Sequence, residues 1–209
     1  MTRTVHVALM ILALTLTGNA AQSEGGIQAL ALDDGIALLW NEPNDHFLLE
    51  LRGKRVVPIP ADGRVFFDVD GAMVQVQSVP VSAFLPKGAR PDELATLEAH
   101  RDWEAAFIRK ALGESTQITS TKKTLPRTGL ALAWGFDLPK NVSADASKQL
   151  YLVVLRKDRL ILVSGSVTKR TTGDAVEKIL SDTLSTLRVS DTPIDLTVVQ
   201  ESIRTTGRP

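Results

Sequence analysis

Few residues in this chain are of the types that do acid–base or metal chemistry, and two of them stand at a suggestive spacing. His100 and Glu104 lie four apart, which on a helix puts them on one face. With Asp45, His46 or another carboxylate brought in from elsewhere, they could complete a metal site of three ligands. The plainer reading makes His100 a partly exposed helix residue paired with Glu104, because a full site needs three or four ligands. No metal and no cofactor are therefore expected.

Other chemistries lack their residues. The chain has no cysteine, so thiol catalysis and thiolate metal sites are excluded. No serine sits in a G-x-S-x-G elbow, and the phosphate-cradling G-x-x-x-x-G-K-[ST] and G-x-G-x-x-G patterns are absent. Ser164-Gly165-Ser166 falls within a strand, where a glycine between small polar residues marks a bulge or a close packing contact. Glu98 and Asp102 share a helix side with Arg109 and read as a solvated charge cluster. Trp103, Phe107 and Trp134 read as core. Trp40 is different: it ends an apolar run and precedes Asn41-Glu42-Pro43-Asn44-Asp45. Trp40, Glu42 and Asp45 are thus candidates for an exposed binding surface, the alternative being a tryptophan that plugs the end of a sheet.

The elements that must position these residues can be read from periodicity. The turn dipeptides Asp34-Gly35, Gly53-Lys54, Asp62-Gly63 and Asp70-Gly71 separate short runs at Phe47 to Arg52, Arg55 to Ile59, Val65 to Val69 and Met73 to Val79, which predicts an antiparallel meander. Pro58 and Pro60 place the second run at a sheet edge. From Asp92 to about Leu112 the pattern is helical, with Gly113 as its stop. Strands return between Gln117 and Asp137. The clearest hairpin joins Gln149–Arg156 to Arg159–Val167 through Lys157-Asp158, and its near-continuous apolar character suits central strands covered on both faces. Asp174-x-x-Glu177 resembles a capping box ahead of an amphipathic helix carrying Val176, Ile179, Leu180, Leu184 and Leu187. Past Ser190 no apolar pattern remains, and residues 191–209 are expected to fray. The fold class is α+β, a largely antiparallel sheet with two packed helices in a single domain over residues 21–190.

The stretch from Trp134 to Val189 carries the Leu150–Val163 hairpin, Ala175-Val176-x-x-Ile179-Leu180 and a closing Leu187-Arg188-Val189. In this spacing it resembles the C-terminal half of PsbP-like α/β/α sandwich proteins. The resemblance covers about a quarter of the chain and implies an accessory or binding role, with no functional residue carried over.

The chain opens with Arg3, an apolar run from Val7 to Leu16 and the small residues Thr17-Gly18-Asn19-Ala20. That is the pattern of an export signal removed after Ala20, with an apolar run too short to span a bilayer. A lipid anchor is not expected without a cysteine, and neither is a membrane span. Twenty-four basic residues balance twenty-four acidic ones, so nucleic acid is not an expected partner. The expectation is an exported protein of the periplasm or exterior, a non-enzymatic binding or accessory domain whose partner is a protein or small molecule of the envelope. The alternatives are an unrecognised metal-dependent or hydrolytic enzyme and a subunit of a larger envelope assembly.

Overall fold

The computed structural model describes residues 26–60 and 64–206, with side chains through Glu201. The expected signal at residues 1–20, the expected new terminus at Ala21 and the expected Asp62-Gly63 turn lie outside the described residues. Eleven strands are described: β1 (Gly26–Leu32), β2 (Gly35–Glu42), β3 (Asp45–Arg52), β4 (Val56–Ile59), β5 (Val65–Val69), β6 (Ala72–Pro80), β7 (Thr119–Leu125), β8 (Gly129–Asp137), β9 (Ala146–Arg156), β10 (Arg159–Thr168) and β11 (Arg188–Ser190). Three helices join them: α1 (Glu93–Leu112), α2 (Gly173–Ser185) and α3 (Leu196–Thr206). Among the described residues, no helix is long and apolar enough to cross a membrane.

The strands form two antiparallel sheets, β1-β2-β3-β11 and β4-β5-β6-β10-β9-β8-β7. The expected single meander is thus divided between them, and the chain changes sheet at Gly53–Arg55. Asp70 holds that corner: its carboxylate accepts from the backbone N–H of Lys54 at 3.2 Å and of Arg55 at 2.8 Å. Gly53 is required there, since a Cβ at that position would stand 2.9 Å from Asp70 Oδ2. β4, with Pro58, is an edge strand, as proline's missing donor demands. The hairpin β9–β10 lies inside the large sheet, with apolar side chains on both faces.

Alternation along β9 and β10 divides the core. Leu152, Val154, Ile161 and Val163 face the small sheet and α2, where they meet Leu38, Phe47, Leu49, Val176, Leu180 and Leu184. Tyr151, Val153, Leu160 and Leu162 face the opposite way, toward Leu97 of α1. α1 begins on Asp92, whose side chain accepts from Ala95 N–H, and ends on Gly113, whose N–H bonds Arg109 C=O. α2 is capped by Thr172 and not by Asp174: Thr172 is extended, and its hydroxyl accepts from Ala175 N–H at 3.2 Å. Glu177, free of the expected capping role, pairs instead with Lys123 of β7.

The stretch past Ser190 also departs from expectation. β11 pairs with β3. The Asn41 side chain then clamps Ile194 at both its C=O and its N–H, each at 2.9 Å. From there α3 lays Val199, with Ile194 and Leu196 beside it, on Ala37, Leu39 and Leu48 of the small sheet's outer face. Leu196, Val199 and Ile203 stand at the i, i+3, i+7 spacing of a short amphipathic helix, a signal the expectation of fraying passed over, and the apolar surface that β2 and β3 turn outward receives it.

Candidate functional site

α1 brings His100 and Glu104 together over β8 and β9. The imidazole is fully buried, edge-on to Phe84 at 5.2 Å and 6.0 Å from the Trp103 ring. His100 was expected to be partly exposed; the aromatic side chains of the loop after β6 and of α1 itself enclose it. Its Nε2 is 3.9 Å from Glu104 Oε1, outside hydrogen-bond range, and neither ring nitrogen has a partner. Burial pushes His100 down to about 4 and Glu104 up to about 7. Tyr151, stacked on Trp134 at 3.8 Å, is pushed upward by burial and then by the charge of Glu104. His46 is not in this group: it lies on β3 in the other sheet, opposite Asn41 and Ser190. Among the described residues, no three His, Cys, Asp or Glu side chains gather to hold a metal. An imidazole without exposed surface or hydrogen-bond partner is not presented to a substrate.

The second candidate group does not form an exposed surface either. Trp40 is half-buried and stacks on Phe47 with ring centroids 5.1 Å apart. It plugs the end of the sheet, because β2 alternation turns it inward with Ile36 and Leu38. Asp45 is buried as well, 3.0 Å from Arg159 Nε, which also donates to Ser78 Oγ at 2.8 Å. This ion pair ties β3 of the small sheet to β10 of the large one. Glu42 is half-buried in the same hairpin.

The concavity best suited to a ligand lies elsewhere. Where α3 leaves the outer face of the small sheet uncovered, a groove of 670 Å³ opens between β11, β3 and the β1–β2 turn. Its apolar lining comes from Leu32, Ala37, Leu48, Val189, Ile194 and Val198. Val198, on α3, is 60% exposed and adds apolar surface to the groove. One rim is a chain of ion pairs. Glu50 accepts from Arg52 at 2.8 Å and from Arg188 at 3.2 Å, and Arg52 also pairs with Asp34. Arg52 lowers the Asp34 carboxyl below its ordinary range, and the two carboxylates hold the Arg52 proton more tightly than usual. Such exposed pairs contribute little stability, but together they fix two guanidinium and two carboxylate groups along one edge of an apolar floor.

Sequence reasoning did not find this groove. Its lining comes from the β1–β2 turn, β3, β11 and α3, segments that lie far apart in the sequence.

No family model and no curated protein matches the chain. Among solved structures, the fold is similar to the solution structure of cyanobacterial PsbP (CyanoP) from Synechocystis sp. PCC 6803, with 13% identity, a TM-score of 0.48, and coverage of 84% of this chain and 99% of that one. It is also similar to a crystal structure from Bacteroides thetaiotaomicron VPI-5482, with 10% identity and a TM-score of 0.33, of which it spans 52%. The chain is an α+β protein of two antiparallel sheets.

Proposed function

We propose that this protein is an exported, non-enzymatic binding or accessory domain of the cell envelope, and that its ligand is a small, largely apolar molecule held in the groove beneath α3. The observation that carries the reading is the groove itself. Its 670 Å³ falls within the range of small-molecule sites, roughly 300–1,000 Å³, and it combines an apolar floor with a few fixed polar groups, as such sites do. The charged side chains at its rim are engaged with one another, which suits orientation of a ligand better than proton transfer. Export rests on the leader pattern of residues 1–20.

Anilinonaphthalene sulfonate, an anionic probe whose aromatic rings fluoresce in apolar surroundings, tests the site. One probe per folded chain is expected, and Val198→Trp, which adds bulk at an exposed position of α3 that lines the groove, should abolish its binding without lowering the melting temperature. Unchanged probe binding in that variant would remove the groove as the site.

A further inference from the structure

The two sheets present four edge strands, and three of them carry the devices that keep an edge from pairing with another chain. β4 contains Pro58, β7 carries Lys122 and Lys123, and β11 is three residues long with an arginine. β1 has none of these. Gly26-Ile27-Gln28-Ala29-Leu30-Ala31-Leu32 is seven residues without charge or proline, and it pairs only with β2 along its whole length without a bulge. Its free side is a row of backbone donors and acceptors with no partner among the described residues.

The inner face of β1 is also uncovered. Ile27, Ala29 and Ala31 pair in register with Trp40, Leu38 and Ile36, so they point toward the space between the sheets. All three are nonetheless exposed, Ile27 by 38%. Beyond them lies a 540 Å³ cleft bounded by Ala29, Ala31 and Ile36 on one side and by Val56 and Pro58 of β4 on the other. A strand added to β1 would satisfy the backbone edge and send its inward side chains over this cleft.

We propose that the occupant is β1 of a second copy of this chain, paired antiparallel about a twofold axis through Ala29, which joins the two small sheets into one continuous sheet of eight strands. That register uses every residue of the strand: Gly26 meets Leu32, Ile27 meets Ala31, Gln28 meets Leu30, and Ala29 meets itself. On the inner face, each large Ile27 is set against a small Ala31, with two alanines at the axis, so the strand is complementary to itself in volume as a twofold interface requires. The absence of charge means no like-charged residues oppose one another within the paired strands. The groove beneath α3 lies on the other face of the sheet, so the pairing is independent of its ligand.

Light scattering and sedimentation of the protein expressed from Met1 test this, with concentrations up to about 100 µM to reach a weak dimer. A concentration-dependent species of twice the protomer mass is expected. Ala29→Lys places two like charges across the axis at an exposed position; it should yield a monomer with an unchanged melting temperature and unchanged anilinonaphthalene sulfonate binding. Ala29→Glu should behave likewise alone, and an equimolar mixture of A29K and A29E should restore the dimer as a heterodimer. A wild type that stays monomeric throughout, a dimer that survives A29K, or a mixture that remains monomeric would each overturn the proposal.

Discussion

His100 Nε2 and Glu104 Oε1 lie 3.9 Å apart on one face of α1, and burial shifts the two groups in directions that oppose each other in the pH dependence of the fold's stability. Glu104 is held near 7 against an ordinary 4.5, so the folded chain keeps a proton that the unfolded chain has released. Its contribution weakens the fold as pH rises from about 4.5 to about 7. His100 is held near 4 against 6.5, so the unfolded chain takes up a proton that the folded one refuses. Its contribution weakens the fold as pH falls from about 6.5 to about 4. Between about 4.5 and 6.5 the two slopes cancel.

Glu104→Gln should expose the histidine slope. Relative to wild type, the variant is expected to gain about 1–3 kcal/mol at pH 8, where the buried carboxylate is charged, and to lose that advantage as pH falls from about 7 to about 4.5, while its own stability falls from about pH 6.5 toward 4 with the slope of His100 alone. Urea denaturation at several pH values measures both. Parallel profiles for variant and wild type would show that Glu104 does not titrate abnormally.

Substitution at His100 separates packing from polarity. Both ring nitrogens are buried without partners, a cost that an apolar side chain of similar size does not carry. His100→Leu is therefore expected to match or exceed wild-type stability, while His100→Ala leaves a cavity among Phe84, Leu97 and Trp103 and should cost about 1–3 kcal/mol. If both variants lose several kcal/mol, the imidazole is making a bond that a ring without partners would not make.

Much of the fold was legible where local signals agree with packing. Asp92 and Gly113 bound α1 because capping chemistry is local, and the β9–β10 hairpin was plain because both its faces are covered. What was not legible depends on surfaces distant in sequence. The division of the first strands between two sheets turns on Asp70 holding a corner fifteen residues before it. His100 sits on a helix with weakly separated faces, where Thr96 and His100 are buried while Phe107 is exposed, so periodicity did not reveal its enclosure. The groove required β11 and α3 to find the outside of a sheet formed 150 residues earlier, as the Asn41–Ile194 clamp shows.

Gly165 is the contact that lets α2 settle onto β10. A Cβ at this position would stand 2.7 Å from Val176 Cγ1 and 3.4 Å from Leu180 Cδ2, and neither branched side chain can swing away inside a packed core. Gly165→Ala is expected to cost about 1–3 kcal/mol through overpacking, and Val176→Ala in the same chain should recover part of it. A stable G165A protein would mean that α2 sits farther from the sheet.

Leu184 tests the core between the sheets most directly. Its side chain is fully buried where α2 meets the strands of both sheets, so truncation removes apolar contacts on several sides and leaves a cavity that rigid strands cannot close. Leu184→Ala is expected to lose about 2–5 kcal/mol, a large share of the total stability of a domain of this size. Substituting Val198, which lines the groove from α3 with 60% exposure, should change stability by less than about 0.5 kcal/mol as alanine yet weaken binding of the fluorescent probe. The pair of variants divides architecture from site. If Leu184→Ala melts with the wild type, α2 does not cover the core; if Val198→Ala unfolds the protein, α3 is structural and the groove beneath it is not a ligand site.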